Sequence, residues 1–534
     1  MNAWIKRNHR EIQLILVIFL IGFYLRIQGI YNGLPYVLNP QESSNLLGVI
    51  APFKNVLKFN TVHLPTLFVY LNSIIVYISS ITIDLTSILL KVEAEPGSLY
   101  LPLRFLSVLF GVGSILIVYL IGSMFSSIAG IIASGLLAVS FLHVKSSQLF
   151  LPFSPMTFFI LISTFYALKA SSENNENKKQ FYNLSILFAL ISASFNYFGI
   201  VSIVPILLVN LLNKDFEKVK STFILFLLIF LTINPYFVLD FIFSFKSHLQ
   251  NYVKSFYNLR FSSYLLPIDY LLHGIGPVAF FSALYLIRLK KHFSESDLKN
   301  LKIIFCFPLI YFGLIGLFHM SDSIYVVALV PYFCLSAGLA LSLLHNNLEM
   351  RFVYIALLLF GFWIPLKYSM KYNKMINLPD TRIIATNWVK EHTSENIKIA
   401  WDKNSIQLNW YDAYNKNELK NIVDEPDLLI SKQKFPITPE FLKRKNWFSL
   451  LRKKVDYVIV DSIDYESALK QSGSNARKKY YSKLLKLKPF VVINPYLKES
   501  DKQIQSSLFE DLYSPFKTLW QRERAGPIIK IYKL

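Results

Sequence analysis

Two cysteines in 534 residues, Cys306 and Cys334, exclude a disulfide framework. Both lie inside apolar runs with no metal-ligand spacing around them. Charged side chains are also few, at 17% of the chain, and acidic ones are the scarcer sign, 34 against 55 basic. No spacing of His, Asp or Glu demands a metal, so neither a metal nor a cofactor is expected. No internal repeat is visible, which argues against a transporter built from repeated halves. What the chain does have is apolar surface. Hydrophobic residues make up 53%, aromatics 16%, and mean hydropathy is +0.41. That composition reads as a membrane protein of many spans. The net charge of +21 then belongs to membrane topology and not to nucleic acid.

The first ten residues carry Lys6, Arg7 and Arg10, followed by an apolar run from Ile12. The run contains Arg26 and has no small-residue cleavage site, so it reads as an uncleaved first span. Eleven spans are expected, near 11–30, 104–122, 127–143, 156–170, 181–196, 198–213, 220–239, 264–287, 301–318, 324–344 and 351–368. With the N-terminus in the cytoplasm, the inside loops hold Lys178 and Lys179, then Lys214, Lys218 and Lys220, then Arg288, Lys290, Lys291 and Lys299, and finally Arg351. The outside loops are poorer in basic residues, and the one around His319 to Ser323 has none. This is the positive-inside pattern. The apolar stretch Leu67–Leu90 is long enough to span, but a crossing there would invert every later loop, so it is assigned to the outer face. From about residue 370 the composition becomes soluble. Strand-like runs occur at Ile397–Trp401, Leu428–Ser431, Val455–Asp461, Phe490–Asn494 and Ile528–Leu534, with Lys-rich helical segments between them. The expected architecture is an all-α membrane domain over 1–369, with an external loop 31–103, followed by a small extracytoplasmic α/β domain over 370–534.

The segment between the first two spans is too long and too apolar for a simple connection. It carries Asn39-Pro40-Gln41-Glu42 and, about twenty residues on, His63-Leu64-Pro65-Thr66. It resembles the first external loop of the lipid-carrier-dependent glycosyltransferases of the GT-C fold. The similarity is to the protein O-mannosyltransferase and aminoarabinose-transferase type (glycosyltransferase families 39 and 83), where a motif of the form H-P-D-E precedes a Y-P-S-L-like turn. Further runs look like the family's. They are Arg104-Phe105-Leu106-Ser107 with Gly111, His143-Val144-Lys145-Ser146-Ser147 followed by Leu151-Pro152-Phe153, Asn196-Tyr197, Asn234-Pro235-Tyr236 and Ile324-Tyr325. Asp380-Thr381-Arg382 and Gly526-Pro527-Ile528 resemble the tails of bacterial and archaeal members. Four positions depart from the pattern: Gln41 and Phe153 stand where the family has acids, Asn196 where it often has Lys, and Ile324 where it has Arg.

The resemblance implies an integral-membrane glycosyltransferase of the plasma (inner) membrane. It would move a sugar from a polyprenyl-phosphate donor to a lipid, glycan or protein acceptor on the outer face, with inversion. Such chemistry needs a carboxylate to take the acceptor's proton and cations or donors for the phosphate leaving group. Glu42 is the acid that remains at the first motif, either as the base or as a structural partner of Arg104 or of backbone amides. Gln41 can hydrogen-bond an acceptor but cannot act as a base. Arg104 is expected to bind phosphate, to pair with Glu42 or to sit at the interface; Lys145 is expected to contact phosphate or to be solvated. His63, Asn196, Tyr197, Tyr236 and His273 are further substrate-binding expectations, with interfacial roles as the alternative. Two other functions stay open, a non-catalytic relative acting as a binding or scaffold protein, and a lipid-sugar transporter.

Overall fold

The computed structural model describes residues 9–34, 36, 38–50, 64–79, 96–172, 177–235, 237, 262–318, 322–345, 350–392, 397, 399–402, 405–406, 455–470, 476–498 and 518–534. The chain divides into two compact units, one of residues 1–30, 41–76 and 102–370 and the other of 31–40, 77–101 and 371–534. Residues 31–40 and 77–101, read from the sequence as external loop, therefore group with the tail.

The apolar runs fold as helices. In chain order they are α1 (His9–Ile27), α2 (Pro40–Ile50), α3 (Thr66–Ser79), α4 (Pro96–Ser123), α5 (Ser127–Val139), α6 (Phe141–Ser147), α7 (Phe153–Ser172), α8 (Asn177–Phe195), α9 (Val204–Leu212), α10 (Phe216–Ile233), α11 (Ser262–Ile275), α12 (Pro277–Tyr285), α13 (Glu295–Leu317), α14 (Val330–His345) and α15 (Arg351–Ile376). Two 3₁₀ turns matter below, Tyr197–Ile203 ahead of α9 and Ser323–Leu329 ahead of α14. Among the described residues, five helices are long and apolar enough to cross a membrane, or seven if each of two bent pairs is one span. The chain is a multi-pass membrane protein.

Both bent pairs have a local cause. The α5–α6 pair bends by 61° at Ser140, whose amide still reaches back to Leu137 O at 3.3 Å. Arg26, fully buried in α1, adds side-chain donors at this bend: Nη1 donates to Ala138 O (2.9 Å) and to Gly22 O (2.8 Å), and Nη2 donates to Leu137 O (3.1 Å). Nη2 also lies 2.9 Å from His143 Nδ1. A charge at membrane depth is costly, so Arg26 is best understood as the support that lets α6 leave the line of α5. The α11–α12 pair bends by 112° at Gly276, whose φ of +86° suits glycine. Elsewhere small residues bring helices close. Gly338 of α14 lies against Ala129 and Ala133 of α5, where a Cβ would meet Ala133 Cβ at 2.8 Å.

The second unit contains a four-stranded mixed sheet of order β1-β2-β4-β3, from β1 (Ile399–Trp401), β2 (Tyr457–Asp461), β3 (Val491–Ile493) and β4 (Ile529–Lys533). β1 runs parallel to β2, and β4 is antiparallel to both β2 and β3. Every residue of β2 is buried, because its two faces serve two cores. Val458 and Val460 pack with Tyr465, Tyr480 and Tyr481 of α17 (Ser462–Lys470) and α18 (Ala476–Leu484). Tyr457 and Ile459 pack with Ala385 and Val389 of α16 (Thr381–His392). The expected run Leu428–Ser431 lies outside the described residues.

The motif Asp380-Thr381-Arg382 forms the start of α16. Asp380 accepts two hydrogen bonds from the Arg382 guanidinium (2.9 and 2.8 Å), and both residues are buried. Arg382 Nη1 reaches Leu38 O at 3.4 Å, and Lys390 Nζ donates to Tyr36 Oη at 2.9 Å. Gly526 closes this corner with a φ of +103°. A Cβ there would collide with Thr381 Oγ1 and Asp380 Oδ1. Gly526→Ala is expected to lower stability by about 1–3 kcal/mol, the usual cost of a strained backbone position. A thermal melt of the purified protein checks this, and an unchanged midpoint would contradict it.

Candidate functional site

Pro40 opens α2, a position where its missing N–H costs nothing. Glu42 falls in the first turn and is fully buried. Its Oε1 accepts from Arg104 Nε (2.8 Å) and from the Phe150 amide (2.7 Å), and its Oε2 accepts from Arg104 Nη2 (2.7 Å). Arg104, 2% exposed in α4, donates its remaining Nη1 to Ile30 O at 2.7 Å. Asn45, one turn along α2, donates to Phe150 O at 3.0 Å. The turn after α6 is thus tied to α2 through both backbone groups of Phe150. Of the two roles left open for Glu42, the geometry supplies the second: it is the partner of Arg104 and of a backbone amide. Both of its oxygens are occupied.

Gln41 turns elsewhere. Its Nε2 donates to Asp322 Oδ2 at 3.2 Å. Asp322 caps the turn Ser323–Leu329, with Oδ1 accepting from the Ile324 amide (3.2 Å) and from Ser323 Oγ (3.4 Å). Lys145 of α6 donates from Nζ to Ser323 Oγ at 3.1 Å. Lys145 is 1% exposed, so the solvated reading of this residue is overturned: α6, turned at Ser140, carries it into the interior. Gln41, Asp322, Ser323 and Lys145 form one hydrogen-bonded group, and Asp322 is its half-buried carboxylate.

The sequence reading missed Asp322. The signal was present, since an Asp just ahead of Ser323-Ile324-Tyr325 is a helix-capping pattern. Attention to Ile324-Tyr325 as the motif passed over it. At the other departing position, Phe153 is buried and packs edge-on against Tyr325, with centroids 5.3 Å apart.

The remaining expected residues are distributed as follows. Asn196 caps the turn Tyr197–Ile203 by accepting from the Phe198 amide at 3.0 Å. Tyr197 packs its ring on Phe230 and Phe237. His273 of α11 is part-exposed, with Nδ1 2.9 Å from Asp269 O and 3.2 Å from Asp269 Oδ1. His63 and Tyr236 lie outside the described residues. Asn234, from the same motif as Tyr236, is a joint: its Oδ1 accepts from the Thr66 amide at the start of α3 (3.2 Å), and its Nδ2 donates to Ser194 Oγ (2.9 Å).

In the second unit, Asp402, Asp461 and Asp464 come within 4.8 Å of one another. Internal bonds hold them, from Tyr481 Oη to Asp402 Oδ1 (2.8 Å), from the Asp464 amide to Asp461 Oδ1 (2.9 Å) and from Arg477 Nη2 to Asp464 Oδ1 (2.6 Å).

Residues 86–238 match the dolichyl-phosphate-mannose-protein mannosyltransferase family. That stretch includes Arg104, Lys145, Phe153 and Asn234 but stops short of Gln41 and Glu42, so the match is narrower than the near-complete resemblance read from the sequence. No curated protein matches the chain. Among solved structures, it is similar to the oligosaccharyltransferase of Archaeoglobus fulgidus in its apo form, with a TM-score of 0.53 at 14% identity, over 90% of this chain and 73% of that one. It is also similar to the same enzyme, AglB, in complex with an inhibitory peptide and a dolichol-phosphate (TM-score 0.52, 13% identity, 88% and 72% of the two chains). A third match is that enzyme in complex with Zn and sulfate (TM-score 0.52, 16% identity, 88% and 71%). These likenesses establish the fold.

Arg104→Ala would leave Glu42 buried without its cation, at an expected cost of about 3–5 kcal/mol. Glu42→Gln is expected to lose stability as well, because it orphans Arg104. Thermal midpoint and yield of monodisperse protein report both. A Glu42→Gln protein that melts like wild type would mean that Glu42 is no structural anchor.

Proposed function

We propose that this chain, a protein of the GT-C glycosyltransferase fold, transfers a sugar from a polyprenyl-phosphate donor to an acceptor on the outer face of the membrane, with Asp322 as the base. The observation that carries the reading is the hydrogen bond from Gln41 to Asp322. It puts a half-buried carboxylate beside the position where the resembling family has its acid.

In the proposed reaction the acceptor's oxygen or nitrogen attacks C1 of the sugar while the bond from C1 to the phosphate oxygen breaks. The acceptor's proton passes to Asp322. The electron pair of the broken bond leaves on the polyprenyl phosphate. One displacement with one base inverts C1. Gln41 holds Asp322 from one side through its hydrogen bond to Oδ2. Glu42 is given no proton in this scheme, because it is fully buried and bound to Arg104, whereas Asp322 is half-buried and pairs with no arginine among the described residues.

Span counting supports the topology. Gln41 follows the first expected span, Lys145 the third, and Asp322 the ninth. Odd numbers put all three on one side of the membrane, as their hydrogen bonds require. A crossing within Leu67–Leu90 would part Gln41 from the other two. The count takes the eleven-span arrangement as its premise, and together with the basic inside loops it supports the proposal of a cytoplasmic N-terminus and an extracytoplasmic tail.

Purified protein in nanodiscs, offered a panel of polyprenyl-phosphate hexoses and pentoses, is expected to release polyprenyl phosphate from at least one. Asp322→Asn is expected to slow that release by roughly 10²–10⁴, the worth of a general base. A panel with no turnover, or full turnover by Asp322→Asn, would overturn the assignment.

A further inference from the structure

Lys145 poses a problem that the transfer reaction does not answer. An ammonium shielded from solvent needs hydrogen-bond acceptors and compensating charge, or it destabilises the fold. The structure places Ser323 Oγ 3.1 Å from Nζ, and Ser323 is itself buried. A serine hydroxyl has one proton to donate and lone pairs to accept. Here it accepts from the ammonium and points its own proton at Asp322 Oδ1, 3.4 Å away. Bonds in such a chain polarise one another. The carboxylate is held at both oxygens: Ser323 and the Ile324 amide at Oδ1, Gln41 at Oδ2.

We infer that Lys145 is a positioning residue for Asp322, acting through the Ser323 hydroxyl, and not a contact for the phosphate of the donor. The inference rests on the reading of Asp322 as the base. Lys145 fixes the carboxylate's orientation so that a lone pair of Oδ2 faces the acceptor beside Gln41. Two features of the fold serve this chain. Arg26 supports the bend at Ser140 that swings α6 inward with Lys145. The Asp322 cap and the Tyr325–Phe153 ring contact hold the turn Ser323–Leu329 at the other end. Glu42, paired with Arg104, is the residue next to Gln41 along α2.

A test that needs no turnover is the rate at which a carbodiimide labels Asp322 in the purified protein, followed by peptide mass spectrometry. Lys145→Met and Ser323→Ala each loosen Oδ1 and are expected to raise that rate, by roughly threefold or more for groups coupled in one network. The double variant is expected to exceed neither single one, because the two act in series. Ser323→Thr keeps a hydroxyl and is expected to label at the wild-type rate. Binding of undecaprenyl phosphate is expected to be the same for wild type and Lys145→Met. Should Lys145→Met fail to fold, Lys145→Gln and the smaller deletion Ser323→Ala carry the same comparison.

Loss of undecaprenyl phosphate binding in Lys145→Met with unchanged labelling of Asp322 would overturn the inference and make Lys145 a phosphate contact. Additive labelling in the double variant would also overturn it, since the residues would then act separately. The labelling result stands apart from the transfer assay. A protein that turns over no donor can still show the coupled chain, and a protein that turns over donor can still lack it.

Discussion

A carboxylate and a guanidinium buried side by side hold the helical unit in its working shape. Glu42 and Arg104 neutralise each other at 2.7 and 2.8 Å, and each has further bonds, Glu42 to the Phe150 amide and Arg104 to the Ile30 carbonyl. Neither partner is tolerable there alone, which couples four stretches of chain to one pair of charges. The turn after α1, the first turn of α2, the N-terminal part of α4 and the turn after α6 all meet at it. Gln41, the residue before Glu42, turns toward Asp322.

The division of labour between adjacent residues follows from helix geometry. Gln41 and Glu42 are consecutive, so their side chains leave α2 about 100° apart. One enters the interior and the other faces the turn ahead of α14. Two adjacent polar residues at a helix start therefore reach two different parts of the fold. The same economy appears at Asn234 and Asn196, whose carboxamides each satisfy the amide of a helical segment's first turn.

Much of this was legible in the sequence. Apolar runs became helices because burial in lipid or against other helices demands it, and strand-like runs at 397–401, 455–461, 490–494 and 528–534 contain β1 to β4. Gln41, Glu42, Arg104 and Lys145 were singled out from motif order alone, and all four have direct hydrogen-bond partners in the two polar groups, Glu42 with Arg104, and Gln41 and Lys145 with Asp322 and Ser323. Their mutual geometry was not legible. Nothing in sequence spacing says that Glu42 meets an arginine 62 residues away or that Gln41 meets an aspartate 281 residues away. Asp322 escaped notice because it stands outside every motif and looks like an ordinary turn residue. Lys145 read as loop because the bend at Ser140 depends on Arg26, a residue more than a hundred positions earlier. Asn196 was singled out from a motif and His273 as a further substrate-binding expectation, and in the fold Asn196 makes a local cap and His273 an i,i+4 contact.

The central claim is that Asp322 works on the acceptor while Glu42 remains an anchor. A structure of the protein with a polyprenyl-phosphate sugar bound tests it most directly. The expected result places C1 of the sugar and the acceptor pocket beside Asp322 Oδ2 and Gln41, with Glu42 still bound to Arg104 and Phe150. A sugar seated against Glu42, with Arg104 turned away from it and onto the phosphate, would contradict the claim.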